Sequence, residues 1–367
     1  MCGGMRGYMN YAYWLTTIPG IGNLRILRLL AMAGCAREVY GLSKKQLEKT
    51  HLFRPEEVEC ILASKNGDHE REYHKLIESG MYVCSMEEEA YPQRLRDIAN
   101  PPFVLFGRGK PFLAAKKTVA IVGARQCSEY GYAVAKEIGG ALSACGAVVI
   151  SGMARGIDAG GQWGALKSGG TTYAVLGCGA DVCYPSTSRN LYQAILEKNG
   201  GILSEYPPGT KPRAGQFPQR NRIIAGLSDV VIVVEARKKS GSLITVDLAL
   251  EQGKDIYAVP GRIHDALGEG CNYLISQGAG IIFDVELLAK DLNLSPVSDA
   301  HTQNLNNFSL EKEERLVYSC LDLQPKSLEE LLEKTQYSMQ QLAVLLDGLM
   351  QKELIAENFK NYYVKRL

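Results

Sequence analysis

No two of the ten cysteines, at positions 2, 35, 60, 84, 127, 145, 178, 183, 271 and 320, are spaced Cys-x-x-Cys, and only five histidines accompany them. That scatter argues against a zinc ribbon or a disulfide scaffold and fits free thiols in a reducing compartment. The closest pair, Cys178 and Cys183, lies in a loop without a nearby histidine, so no metal site is expected. No apolar run reaches the roughly 20 residues that span a bilayer, and the start, Met1-Cys-Gly-Gly-Met-Arg6, has no signal-peptide core. A cytoplasmic location follows as the expectation. Charge of one sign is lacking as well: 41 Lys plus Arg stand against 40 Asp plus Glu, a formal net charge of +1. Any site for a polyanion therefore has to be local.

The usual nucleotide signatures are missing too. A dinucleotide fold needs Gly-x-Gly-x-x-Gly after its first strand and an acidic residue near the end of the second. The chain instead reads Gly123-Ala-Arg125 after one strand and Ser151-Gly-Met-Ala-Arg-Gly-Ile-Asp158 after the next. Gly-x-x-x-x-Gly-Lys-Ser/Thr is absent, which removes support for ATP hydrolysis. There is no paired-acid or Ser-His-Asp pattern, and His264 is the single histidine of the central region. No cofactor and no catalytic residue are expected.

What is present is a series of strands that run into glycine-rich loops. Val119–Val122, Val148–Ile150, Tyr173–Leu176, Ile202–Leu203, Val230–Val234, Ile256–Val259 and Ile281–Phe283 read as strands, and Phe103–Phe106 as another ahead of them. Helical periodicity fills the gaps at Tyr130–Ala144, Asp158–Lys167 and Leu243–Gln252. Near-continuous Val, Ile and Leu strands alternating with helices predict a parallel α/β sheet covered on both faces.

At 367 residues the chain is long enough for two or three domains. Residues 1–90 read as a helical domain of helix-hairpin-helix or SAM-like type, with the turn at Pro19-Gly-Ile-Gly22. Such a hairpin can either approach a DNA phosphate or simply join two packed helices. Residues 91–290 form the α/β domain, 291–309 a polar linker, and 310–367 a small unit of three helices and a hairpin, with Ser327 and Glu330 as a capping box. That order predicts a winged helix. From Leu305 onward it holds eight basic and ten acidic residues, which disfavours a DNA-reading role and hence a transcription regulator.

The candidate site lies where the sheet's carboxyl edge meets these loops. Gly123, Gly152, Gly156, Gly177 and Gly179 can let backbone N–H groups reach an anion, and Arg125 adds a forked cation. Asp158 is placed to cap its helix. Between Lys211 and Arg222 there are four basic residues and no acidic one, and Phe217-Pro-Gln-Arg-Asn-Arg222 opens an apolar helix. Arg220 and Arg222 can form a solvated basic face, or can hold successive phosphates of one strand while Phe217 or Tyr184 meets bases.

Taken in order, Gly123-Ala-Arg125, Ser151 to Asp158, Gly177-Cys-Gly-Ala-Asp-Val-Cys-Tyr-Pro185, Ser204-Glu-Tyr-Pro-Pro-Gly209, Phe217 to Gly226 and Ser240-Gly-Ser-Leu-Ile-Thr245 strongly resemble the DNA-processing protein A family (DprA/Smf). The likeness is close from Tyr91 to Asp284 and looser at both ends. It implies an extended Rossmann fold that binds single-stranded DNA without sequence preference, forms a homodimer and delivers the strand to the RecA recombinase in natural transformation. Carried onto matching positions, it implies strand contacts at Gly123, Arg125, Ser151, Gly152, Met153, Ala154, Gly156, Gly177, Gly179, Arg189, Phe217, Arg220, Asn221 and Arg222. Some relatives carry a lysine just after the Tyr-Pro pair where this chain has Ser186, which shifts weight to Arg189. Val246-Asp247 departs from the family's Ala-Ala. The rival is a hydrolase of nucleoside monophosphates, whose family uses Pro-Gly-Gly-x-Gly-Thr with a nearby Glu; Lys239-Ser-Gly-Ser-Leu-Ile-Thr245 does not match it.

Overall fold

The computed structural model describes residues 10–112, 116–198, 200–295, 311–321, 325–352 and 354–365. Most of the expected linker, 296–309, lies outside them. Two compact units result, Met1–Pro296 and Val297–Leu367.

Among the described residues of the first unit, nine strands form one sheet: β1 Met81–Ser85, β2 Val104–Gly109, β3 Thr118–Val122, β4 Val148–Ser151, β5 Thr172–Leu176, β6 Gly201–Ser204, β7 Val230–Val233, β8 Asp255–Ala258 and β9 Gly280–Ile281. Their order is β1-β2-β6-β5-β4-β3-β7-β8-β9. β6 through β9 in that order are parallel; β1 and β2 add antiparallel at one side. Every residue of β3 to β7 is buried, as expected for strands covered on both faces. The register sets Val122 beside Val233 and Leu176 beside Ser204, so the carboxyl ends line up along one edge. From β3 the chain steps outward through β4, β5 and β6, then returns to lay β7 on the other side of β3. The crevice between β3 and β7 is thus a topological switch point, the usual ligand position in such sheets.

Helices fall where the periodicity put them, at Glu129–Ala144, Ile157–Lys167 and Gly241–Glu251. The N-terminal residues depart from the all-helical expectation. Met81–Ser85 alternates buried and half-buried residues and pairs with β2, because one face meets the helices and the other does not. Residues 10–90 also share their core with the sheet: Trp14, Leu15 and Leu29 are buried with Phe103, Phe106 and Ile202. The hairpin joins helices Tyr11–Thr17 and Asn23–Ala33, with Gly20 at φ +78°. Its second helix buries Ile26 and Leu29 and leaves Leu24 exposed. Arg25 turns to Glu57 at 2.7 Å, and that bond holds the Glu57 carboxyl down at about 2.

The second unit has helices Lys312–Cys320, Leu328–Thr335 and Met339–Gln351 with a sheet ordered β10-β12-β11, where β10 is Lys326–Ser327, β11 Ile355–Phe359 and β12 Tyr362–Lys365. Ser327 and Glu330 make the expected capping box, with bonds of 3.1 and 3.0 Å. Asn361, between β11 and β12, takes the left-handed backbone that the hairpin turn needs, φ +66°. Val317, Leu331, Leu342 and Leu346 fill its core.

Candidate nucleic-acid interface

Exposed cations follow the carboxyl ends of four adjacent strands, in the loops or, for Arg189, at the start of the helix Arg189–Glu197. Arg125 follows β3, Arg155 follows β4, Arg189 follows β5, and Lys211 with Arg213 follow β6. Since β6, β5, β4 and β3 are parallel neighbours in that order, the segments that carry these cations leave the sheet along one edge. Arg155 donates from Nε to the Thr187 hydroxyl at 3.1 Å, which ties the β4 loop to the turn before Arg189. Arg155 stands between Ala154 and Gly156, inside the Ser151–Gly156 loop expected to meet the strand.

Aromatic faces accompany this row. Tyr184 and Phe217 stack with centroids 5.3 Å apart and planes 27° from parallel, and the Arg125 guanidinium lies 5.6 Å from the Phe217 centroid. Tyr184 is 41% exposed, so one ring is open to a ligand. Gly177 lies against Phe217, where a Cβ would come within 2.9 Å of the ring.

Arg220 and Arg222 differ from the sequence expectation. Both are buried, at 5% and 7% exposure. Arg220 passes under the β4 loop and donates to the Gly152 carbonyl at 3.0 Å and to the Val175 carbonyl. Gly152 is required there, since a Cβ would stand 2.5 Å from the guanidinium. Burial lowers the Arg220 guanidinium to about 10, against the support of Asp158, so it stays charged at neutral pH. Asp158 does not cap its helix, whose N-cap is Gly156. Its carboxylate instead accepts from the Gly152 and Ala154 amides at 3.1 and 3.4 Å, and burial raises its pKa. Arg220 and Asp158 thus brace the β4 loop from beneath.

Arg222 forms a two-pronged pair with Glu205, at 2.7 and 2.6 Å, and donates to the Asn100 carbonyl at 2.8 Å. Its guanidinium is engaged inside the protein, on a side of the helix nearly opposite to that of Arg220. Arg222→Ala leaves the Glu205 carboxylate, 10% exposed, without its partner. It should lower stability by about 3 kcal/mol in chemical denaturation, with salt dependence of any DNA binding unchanged.

The remaining predicted residues divide in the same way. Ser151 and Met153 are fully buried; the Ser151 hydroxyl donates to the Ile121 carbonyl at 2.6 Å, and the Met153 carbonyl accepts from Ser188 at 3.3 Å. Asn221 reaches the Gly241 carbonyl at 3.4 Å, on the neighbouring helix. The amides of Gly152 and Ala154 serve Asp158, and that of Gly179 the Thr210 carbonyl at 2.9 Å. Gly123 packs against Ile157, and Gly156 takes φ +77° beside the Ala124 carbonyl. The glycine loops therefore shape the edge, while Arg125, Arg155, Arg189, Lys211, Arg213 and Tyr184 are exposed and Phe217 is half-buried. Cys178 is buried and donates to the Val182 carbonyl at 3.3 Å, and burial pushes its thiol up to about 11. Among the described residues no cluster of His, Cys, Asp and Glu could hold a metal ion, and no helix is long and apolar enough to cross a membrane.

Fold and edge together define an open, Rossmann-like α/β protein whose carboxyl rim carries cations without a nucleotide fingerprint. The chain belongs to the DNA recombination-mediator protein A family, whose model matches residues 82–293. It is 44% identical over 199 residues to the DNA processing protein DprA of Streptococcus pneumoniae, covering 54% of this chain and 70% of that protein. To the protein Smf of Synechocystis it is 34% identical over 297 residues, covering 78% and 74% respectively. The solved DprA of Streptococcus pneumoniae superposes with a TM-score of 0.67 at 35% identity, over 77% of this chain and 98% of that one. A structure described as showing the single-stranded DNA binding mode of the Helicobacter pylori protein superposes with a TM-score of 0.53 at 32% identity, over 57% and 95%.

Proposed function

We propose that the carboxyl edge of β3 to β6 binds single-stranded DNA without reading its sequence, and that the protein acts by binding, with no catalytic group of its own. The observation that carries this is the succession of exposed cations on neighbouring strand ends, beside a stacked aromatic pair with one open ring. Guanidinium groups hold phosphates and aromatic faces accept any base, a combination that tolerates all sequences. The relative from Helicobacter pylori, described as binding single strands, supports the same use of this fold. Site residues are Arg125, Arg155, Arg189, Lys211, Arg213, Tyr184 and Phe217, with Arg220 and Arg222 as internal supports.

The same reading extends to a homodimer that delivers the strand to the RecA recombinase during natural transformation, from a cytoplasmic location. Ile244 and Leu250, on the helix Gly241–Glu251, are apolar yet 39% and 56% exposed, and a second copy could cover them.

The test is a salt titration of a labelled oligothymidylate, followed by fluorescence anisotropy between about 50 and 200 mM salt. Arg125→Ala should weaken binding and flatten the slope of log affinity against log salt by roughly 0.7, the share of one single-strand phosphate contact. An unchanged slope would remove Arg125 from the track.

A further inference from the structure

We propose that Glu235 closes the switch-point crevice to free phosphate and mononucleotides by occupying it with the protein's own carboxylate. The crevice between β3 and β7 is where an open α/β sheet ordinarily seats a nucleotide, its phosphate on the N-terminus of the helix after the first strand. Here that helix is Glu129–Ala144, capped by Ser128. Glu235, two residues beyond the end of β7, is 7% exposed. Its carboxylate oxygens accept from the Ser128 amide at 2.8 Å and the Ser128 hydroxyl at 2.5 Å.

The space is filled as well as the donors. A Cβ on Gly131 would stand 2.5 Å from a Glu235 carboxylate oxygen, so only glycine leaves room for the side chain. The Glu235 carbonyl takes the Ala124 amide at 2.7 Å, which closes the β3 loop against the β7 loop. The carboxylate has the charge sign and the acceptor pattern of a phosphate oxygen pair. An incoming phosphate would find the Ser128 donors engaged and a negative charge at close range with little water between. The chain thus keeps the architecture of a nucleotide site and answers it internally. Only the outer rim is left for anions, whatever polymer that rim holds.

The test uses the full chain and two probes, inorganic phosphate and AMP, each compared with sodium chloride of equal ionic strength. In Glu235→Ala the Ser128 donors and the space are vacated, so the variant should melt below the wild type. About 10 mM phosphate should then raise its midpoint by on the order of 2–4 °C more than it raises the wild type's. AMP should act in the same direction. Binding on the outer rim is common to both proteins and cancels in the difference. Equal responses of the two proteins would overturn the proposal. So would a Glu235→Ala chain that fails to fold and that phosphate does not restore, because the site would then lack affinity for the anion it is said to exclude.

Discussion

Arg220→Met is expected to lower the free energy of unfolding by about 3 kcal/mol, as for removing a buried cation that serves two carbonyls and whose charge supports a buried carboxylate. Its guanidinium is buried under the β4 loop with two carbonyl partners, and Asp158 is buried beside it. Removing the cation leaves the Asp158 carboxylate without its compensating charge and the Gly152 and Val175 carbonyls without a donor. Chemical denaturation reads the loss directly. Arg220→Lys should recover part of it, since an ammonium can donate to both carbonyls as the single Nη1 does, but lacks the guanidinium's further donors. Single-strand affinity should also fall, because the β4 loop that carries Arg155 is no longer braced. The salt slope, however, should stay at the wild-type value. A slope lowered by about 0.7 in Arg220→Met would show instead that this guanidinium reaches a phosphate.

That distinction marks how far the residues can be read without the fold. The parallel strands are legible because Val, Ile and Leu runs are too continuous for one-sided burial, and the carboxyl edge follows from their alternation with helices. Arg125 is legible for a local reason: it stands in a short loop with no acidic neighbour. Arg220 and Arg222 look equivalent because each flanks Asn221 at a helix start. Their partners are contributed by backbone far away in sequence, the carbonyls of Gly152, Val175 and Asn100. Glu205 is the one readable hint, an acid at the end of β6 that a buried guanidinium could use. Asp158 misleads in the same manner, since a carboxylate at a helix start can equally serve the loop before it. The strand Met81–Ser85 is hidden by its helical surroundings, and its alternating burial depends on a partner strand.

The largest effect on binding should come from Arg125, Arg155, Arg189 and Arg213 changed together to Ala. All four side chains are exposed, so stability should change little, each substitution falling within about 0.5 kcal/mol. Removing four phosphate-holding cations from a single-strand track should flatten the log–log salt slope by roughly 2.8. At about 0.1 M salt the same electrostatics amounts to a weakening of two to three orders of magnitude. The buried Arg220 and this outer row therefore make opposite demands. Arg220→Met should unfold easily and keep its salt slope, whereas the fourfold variant should stay folded and lose most of its salt dependence. Melting and anisotropy measured on both proteins separate the two roles. If the fourfold variant keeps the wild-type slope, the strand does not follow the edge from β6 to β3, and the track assigned to these cations is wrong.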